Sequence, residues 1–143
     1  MAFTSRIMAA PARDVFTVLT DPYSYPKWLI GTSKIRDVDA AWPAVGSCFH
    51  HGVGVGPLRL PDSTQVETIE TDKVLKLRVR ARPFILATAS FILVDSGPSC
   101  VVMLEEEPKL RMLGNLVLPL FDPLTHVRNH ESLRRLGELV DER

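Results

Sequence analysis

The sequence predicts an α+β fold: a curved antiparallel sheet of about seven strands wrapped around one long C-terminal helix, with two short helices after the first strand. Three observations carry this expectation. A strand-like segment, Phe3 to Met8, is followed at once by two helix starts, at Pro11 and at Asp21-Pro22. From Ile35 to Glu107 the chain runs in short strand-like segments between turn signals, the clearest of them strictly alternating. Beyond Asp122-Pro123 the apolar residues recur at helical spacing as far as Asp141. Strands in series after a helical pair, closed by one long helix, leave a cavity between the sheet and that helix.

Each element has its own justification. Phe3, Ser5 and Ile7 share one face of the first strand. Pro11 suits the first turn of a helix, where its missing N–H would have no partner anyway. Val15, Phe16, Val18 and Leu19 form the apolar stripe of that helix. Asp21-Pro22 halts it and reads as a cap followed by the first residue of a second short helix, closed by Pro26 and Trp28. Ile35 to Val38 is a short strand, ended near Trp42-Pro43, and Val45-Gly46 opens the next, Ser47 to Val53. The run G-V-G-V-G-P (52–57) is expected to be a turn or bulged hairpin tip. It lacks the following helix and the terminal Lys-Ser/Thr of a phosphate loop. Thr64 to Thr71 is another strand. In Lys73 to Arg82, Leu75, Leu77, Val79 and Ala81 alternate with Lys76, Arg78, Arg80 and Arg82. Its basic face is expected to be a solvated sheet exterior paired with glutamates of neighbouring strands. Ile85 to Val94 and Cys100 to Glu107 form the last hairpin, turning through D-S-G-P.

At 143 residues the chain fits one domain, 1–143, and buries roughly 70% of its unfolded surface. Lys plus Arg equals Asp plus Glu, 17 each, which argues against a nucleic-acid phosphate track. Cys48 and Cys100 have no C-x-x-C spacing and read as small core residues in a reducing compartment. The start, M-A-F-T-S-R-I, is too short and polar for a signal peptide. No apolar run approaches the ~20 residues of a membrane span. The expectation is a soluble, cytoplasmic protein with no metal and no cofactor. No G-x-S-x-G occurs, neither cysteine stands beside a histidine, and His126 and His130 have no evident third ligand for a metal.

The words A-P-A-R-D-V-F-T-V-L-T-D-P (10–22), Y-P-K-W (25–28), A-R-P-F (81–84) and R-N-H-E-S-L-R-R-L (128–136) follow one another in an order that covers nearly the whole chain. Together they resemble the helix-grip fold of the START-like SRPBCC superfamily, in its polyketide cyclase/dehydrase branch. That superfamily includes lipid carriers, hormone receptors, plant allergens and aromatic cyclases. The resemblance implies an apolar ligand cavity between sheet and long helix. It assigns no catalytic residue, because a shared fold does not share a reaction.

On the last helix, Leu133, Leu136 and Val140 define the buried face at ~100° per residue. Asn129 and His126 extend that face toward the helix start, with Asp122 beyond them and His130 at its edge. Arg128, Glu131, Arg134, Arg135 and Glu138 are expected to point outward. His51 turns inward if it shares a face with Phe49, and Glu106 turns inward if Val102 and Leu104 do. His51, Glu106, His126 and Asn129 are therefore the candidate catalytic groups. The candidate ligand-lining residues are Phe16, Leu19, Tyr23, Trp28, Phe49, Leu77, Val79, Phe84, Phe91, Val102, Leu104, Leu116, Leu120, Asn129 and Leu133. The apolar segment Leu110 to Leu120 is expected to be the first part of a kinked helix, with Pro119 at the kink. A lid or a homodimer contact are its other readings. Three functions stand open: a binding protein for an apolar or aromatic small molecule, lipid or polyketide-like; a cyclase or dehydratase acting on such a compound; and a protein-interaction module whose cavity is vestigial.

Overall fold

A computed structural model describes the backbone of residues 2–30, 32, 34–55, 58–81, 84–108 and 114–142. It describes the side chains of these residues other than 2, 53–62, 81, 84–86, 108 and 114–124. The strands are β1 (Ala2–Met8), β2 (Asp37–Val38), β3 (Cys48–Val55), β4 (Leu58–Glu70), β5 (Val74–Ala81), β6 (Phe84–Asp95) and β7 (Cys100–Pro108). They form one seven-stranded sheet in the order β1-β7-β6-β5-β4-β3-β2, antiparallel throughout. From β2 onward the chain runs as a meander. β1 pairs instead with the last strand, so α1 (Ala12–Leu19) and α2 (Tyr25–Trp28) carry the chain from one sheet edge to the other.

The glycine-rich run departs from the expected hairpin tip. Gly52 and Gly54 lie within β3, opposite Pro61 and Arg59, while Gly56 and Pro57 fall outside the described residues. Main-chain pairing continues there because a strand ladder asks only for backbone groups, which glycine supplies. β4 likewise begins at Leu58, ahead of the expected Thr64. The pairing register shifts between Val66 and Thr68 in β4–β5, and between Val79 and Arg80 in β5–β6. Such bulges bend a strand and increase its twist, which helps the sheet curl toward its helix.

The long helix α3 runs from Gly114 to Asp141. Asp122-Pro123 is therefore inside it, and the expected helix start at that point is corrected. Residues 114–120 are helical as expected; 110–113 lie outside the described residues.

The sheet's inner face carries Thr4, Met8, Phe49, Val66, Leu75, Leu77, Phe91, Leu93, Val102 and Leu104, all buried. Phe3, Ile7 and Val94 are exposed on the other face. There, Glu67 lies 3.9 Å from Lys76 and 3.4 Å from Arg78, the expected pairing of the basic strand face. Leu133 and Leu136 of α3 are fully buried in the same cluster as Met8, Val15, Leu19 and Val102. Gly137 permits close approach: a Cβ there would stand 3.1 Å from Met8 Sδ.

The helical pair is fixed by side chains seeking main-chain partners. Asp21 accepts from Tyr23 N–H at 3.1 Å and caps the single 3-10 turn Pro22–Ser24. Ser24 Oγ lies 2.9 Å from the carbonyl of Val18 and accepts from Trp28 Nε1 at 3.0 Å. Tyr25 donates its hydroxyl to the Leu19 carbonyl at 2.6 Å. Trp42 Nε1 reaches the Thr20 carbonyl at 2.8 Å. The rings then interlock: Tyr25 stands 4.7 Å from Trp28 and 4.9 Å from Phe49, and Trp28 5.8 Å from Phe91.

Leu133→Ala is expected to cost about 2–5 kcal/mol, as for a fully buried leucine. Urea unfolding checks this: the midpoint falls with the slope unchanged. An unmoved midpoint would mean that α3 does not seal this core.

Candidate functional site

Strand register explains why the core stops short of filling the sheet. Two rows cross the concave face: Thr64, Val79 and Ala87, and Leu77, Ala89 and Glu106. In both rows β6 presents only alanine. Two positions further on the same strand presents Phe91, and there the core is closed. Over the alanines lies a cavity of about 190 Å³. Tyr25 and Leu29 from the helical pair, His51 from β3, Leu104 from β7, and Arg128 and Asn129 from α3 complete its wall.

The polar lining forms two groups. On β3, His51 is 2% exposed. Its Nδ1 lies 3.2 Å from the Gly52 carbonyl and its Nε2 2.8 Å from Thr64 Oγ1. A carbonyl can only accept, so Nδ1 carries a proton, while the Thr64 hydroxyl at Nε2 can donate or accept. In the neutral imidazole that burial favours, Nε2 accepts from that hydroxyl. Burial holds its pKa below the ordinary 6.5; Arg36 and His50 push the same way, against the hydrogen bond to Gly52.

The second group joins β7 to α3. Glu106, 6% exposed, accepts at Oε2 from Asn129 Nδ2 at 3.0 Å and from Arg128 Nη2. Arg128 Nη2 also donates to Asn129 Oδ1 at 3.2 Å. A carboxylate in an apolar wall is tolerable because a cation and an amide meet it there. Among the described residues, the buried Nε of Arg128 has no hydrogen-bond partner.

Several expected residues meet here: His51, Glu106, Asn129, Leu77, Val79, Phe91 and Leu104 all line the cavity. Phe16, Leu19, Trp28, Phe49, Val102 and Leu133 are buried, but in the packed core behind the wall. Tyr23 is corrected: it is 63% exposed, because the 3-10 turn buries Pro22 and Ser24 and leaves the residue between them outside. Tyr25 takes the place foreseen for it. His126 is also corrected. It is exposed, with Nδ1 3.2 Å from the Phe3 carbonyl and 3.4 Å from Thr4 Oγ1, pinning α3 to β1 outside the cavity. The helix leans so that Thr125 and Ser132 are buried, and His126, about 60° around from Asn129, falls on the other side. Arg128 was expected outward; its long side chain instead curls over the helix edge to reach Glu106. Phe84, Leu116 and Leu120 lie outside the described side chains.

Thr64, Ala87, Ala89 and Leu29 escaped sequence reasoning. The alanines carried a signal in principle, as two small residues on the apolar face of a strand that otherwise bears large ones. Among the described residues, no group of three His, Cys, Asp or Glu side chains is placed to hold a metal, and no helix is long and apolar enough to cross a membrane.

An antiparallel sheet gripping a long C-terminal helix, with a cavity between them, defines a helix-grip protein. Solved structures bear this out. Protein NE0264 from Nitrosomonas europaea matches with a TM-score of 0.75 at 20% identity, over 98% of this chain and 93% of that one. The di-domain ARO/CYC StfQ of the steffimycin biosynthetic pathway matches with a TM-score of 0.75 at 12% identity, over 98% of this chain and 50% of StfQ. A norcoclaurine synthase from Thalictrum, a point mutant in complex with a transition-state analogue, matches with a TM-score of 0.64 at 20% identity, over 98% and 92%. At 20% identity or below, these matches show a shared fold. No protein-family model and no curated protein sequence matches the chain.

The buried neutral His51 makes stability depend on pH in a defined direction. The unfolded chain takes up this proton below about pH 6.5, while the folded chain resists it to lower pH. His51 thus contributes a stability component that is flat above pH 6.5 and is lost as pH falls through its depressed folded pKa. In urea midpoints from about pH 7.5 to about pH 5, His51→Gln is expected to fall less steeply than the parent. Parallel slopes would contradict the neutral, buried assignment.

Proposed function

We propose that the protein binds a compact, largely apolar small molecule between its sheet and α3. The observation that carries this reading is the cavity of about 190 Å³, walled by Leu77, Val79, Ala87, Ala89, Phe91 and Leu104 and edged by two polar groups. Ligand sites have this composition: mostly apolar, with a few placed polar groups. A vestigial cavity would be expected to fill with its own side chains, and alanine at two central floor positions keeps this one open. Size narrows the class. An apolar cavity of about 150 Å³ accepts benzene, so the space suits one or two rings or a short branched chain. A long acyl chain or an extended polyketide exceeds it.

A second reading, a cyclase or dehydratase acting on such a compound, is supported by one further observation. A neutral histidine and a carboxylate, His51 and Glu106, face the same cavity, and both types serve as general bases. The Nε2 lone pair of His51 is engaged by Thr64, so proton abstraction there would pass through that hydroxyl or follow its rotation.

Native mass spectrometry of the purified chain is expected to reveal a copurifying small molecule. Ala89→Phe puts a ring into the cavity; it should abolish that adduct while the urea midpoint stays level or rises. Retention of the adduct by Ala89→Phe would place the ligand elsewhere and refute the cavity reading. With the recovered compound in hand, His51→Ala separates the two functions. An enzyme loses turnover while affinity stays within about tenfold, or 1.4 kcal/mol. Parallel loss of both indicates binding alone.

A further inference from the structure

We infer that the convex face of the sheet is a docking surface for a second copy of this chain, the two copies being related by a two-fold axis that runs along β6. This is independent of the cavity reading, which concerns the opposite face of the sheet.

Strand register lays the outward side chains in rows. Ile7, Val101 and Val94 stand side by side across β1, β7 and β6. In the next row Met103, Ile92 and Val74 do the same across β7, β6 and β5. Ile7 is 73% exposed and Val94 49%, and the other four are partly exposed. A strand with one solvated face alternates apolar and polar residues, whereas a strand covered on both faces reads as a continuous apolar run. Val101 to Leu104 in β7 and Phe91 to Val94 in β6 are such continuous runs. The core and α3 cover one face of these strands. The sequence is written as though something covers the other.

The charges beside the patch identify what does. Glu105, Ser90 and Lys76 lie in line across β7, β6 and β5, with Glu107, Thr88 and Arg78 in the row beyond. On this face β7 is acidic, β5 is basic, and β6 between them is uncharged. Glu105 has no ion pair among the described residues, while Lys76 and Arg78 both lie against the one carboxylate of Glu67. A two-fold axis along β6 turns the same face of a second copy onto the first, exchanges β7 for β5 and sets each row opposite itself. Glu105 then faces Lys76 of the second copy, Glu107 faces Arg78, and Met103 faces Val74. Ile92 and Val94 meet their own counterparts. An axis across the strands would instead set acid on acid and base on base. With the axis along β6 the strands of the two sheets run nearly parallel, as aligned sheet packing requires. The surface from β1 to β4 over these four rows spans roughly 20 Å each way. That is at the low end for a specific interface, so the dimer is a weak, concentration-dependent one.

Sedimentation velocity on the full chain, from about 1 μM to about 1 mM, tests this. The parent is expected to pass from monomer to dimer within that range. Ile92→Glu sets two carboxylates across the axis and should raise the dissociation constant at least about tenfold, because like charges facing each other in an interface cost more than one tenfold step. Val94→Glu gives the same readout if Ile92→Glu fails to fold. Glu105→Lys and Lys76→Glu, each alone, also set like charges face to face and should weaken self-association. In equal mixture these two variants should associate with each other about as tightly as the parent does, since every lysine then faces a glutamate. A parent that stays monomeric throughout overturns the inference and leaves the face to a partner of another kind. A dimer indifferent to both Ile92→Glu and Val94→Glu overturns it by placing the contact elsewhere. A mixture that associates no better than its components refutes the axis. None of these results touches the cavity reading.

Discussion

Everything in this molecule depends on how α3 lies against the concave face of the sheet. Its C-terminal half is packed without space: Leu133 and Leu136 are fully buried and Gly137 lets the helix axis close on Met8 of β1. One turn earlier the contact changes character. Asn129 replaces a leucine at the inward position, and Arg128 reaches over the edge to Glu106. The same helix therefore seals a core at one end and roofs a cavity at the other. The packed half fixes the height of the roof, so the cavity persists because close-packed side chains cannot collapse further without losing their contacts.

The sheet mirrors that division. β6 lies beside the central strand of the sheet, and along it the inward residues run Ala87, Ala89, Phe91, Leu93. The large residues join the packed core and the small ones line the cavity. The aromatic network of Tyr25, Trp28, Phe49 and Phe91 stands between the two. Tyr25 belongs to both regions: its ring lines the cavity, and its hydroxyl is tied to α1 through the Leu19 carbonyl. Burial raises its pKa well above the ordinary range for a phenol, so it acts as a neutral positioning group in the wall.

The polar members of the wall are satisfied in different ways, and the difference matters for function. His51 is closed on both sides by Gly52 and Thr64, a fully used imidazole. The cluster of Glu106, Arg128 and Asn129 is closed at the carboxylate and open at the arginine.

The sequence by itself determined the element order, the two short helices, the shared face of Val102, Leu104 and Glu106, and the burial of Leu133, Leu136 and Val140. These follow from local rules, namely proline and cap chemistry, the period of 2 in strands and the period of 3.6 in helices. Tertiary structure alone decided which inward residues face space and which face one another. Val102 and Leu104 share a parity, yet one packs in the core and the other reaches the cavity, because strand pairing and the lean of α3 set the boundary between them. Tyr23 and Tyr25 stand two residues apart, but Tyr23 lies within the 3-10 turn and is exposed, while Tyr25 opens α2 and is buried. Arg128 reads as solvent-exposed on a helical wheel; only the approach of β7 to α3 gives its side chain a carboxylate to curl toward. Periodicity fixes a direction for each side chain, while the opposing wall, which sets what that side chain meets, comes from residues distant in the chain.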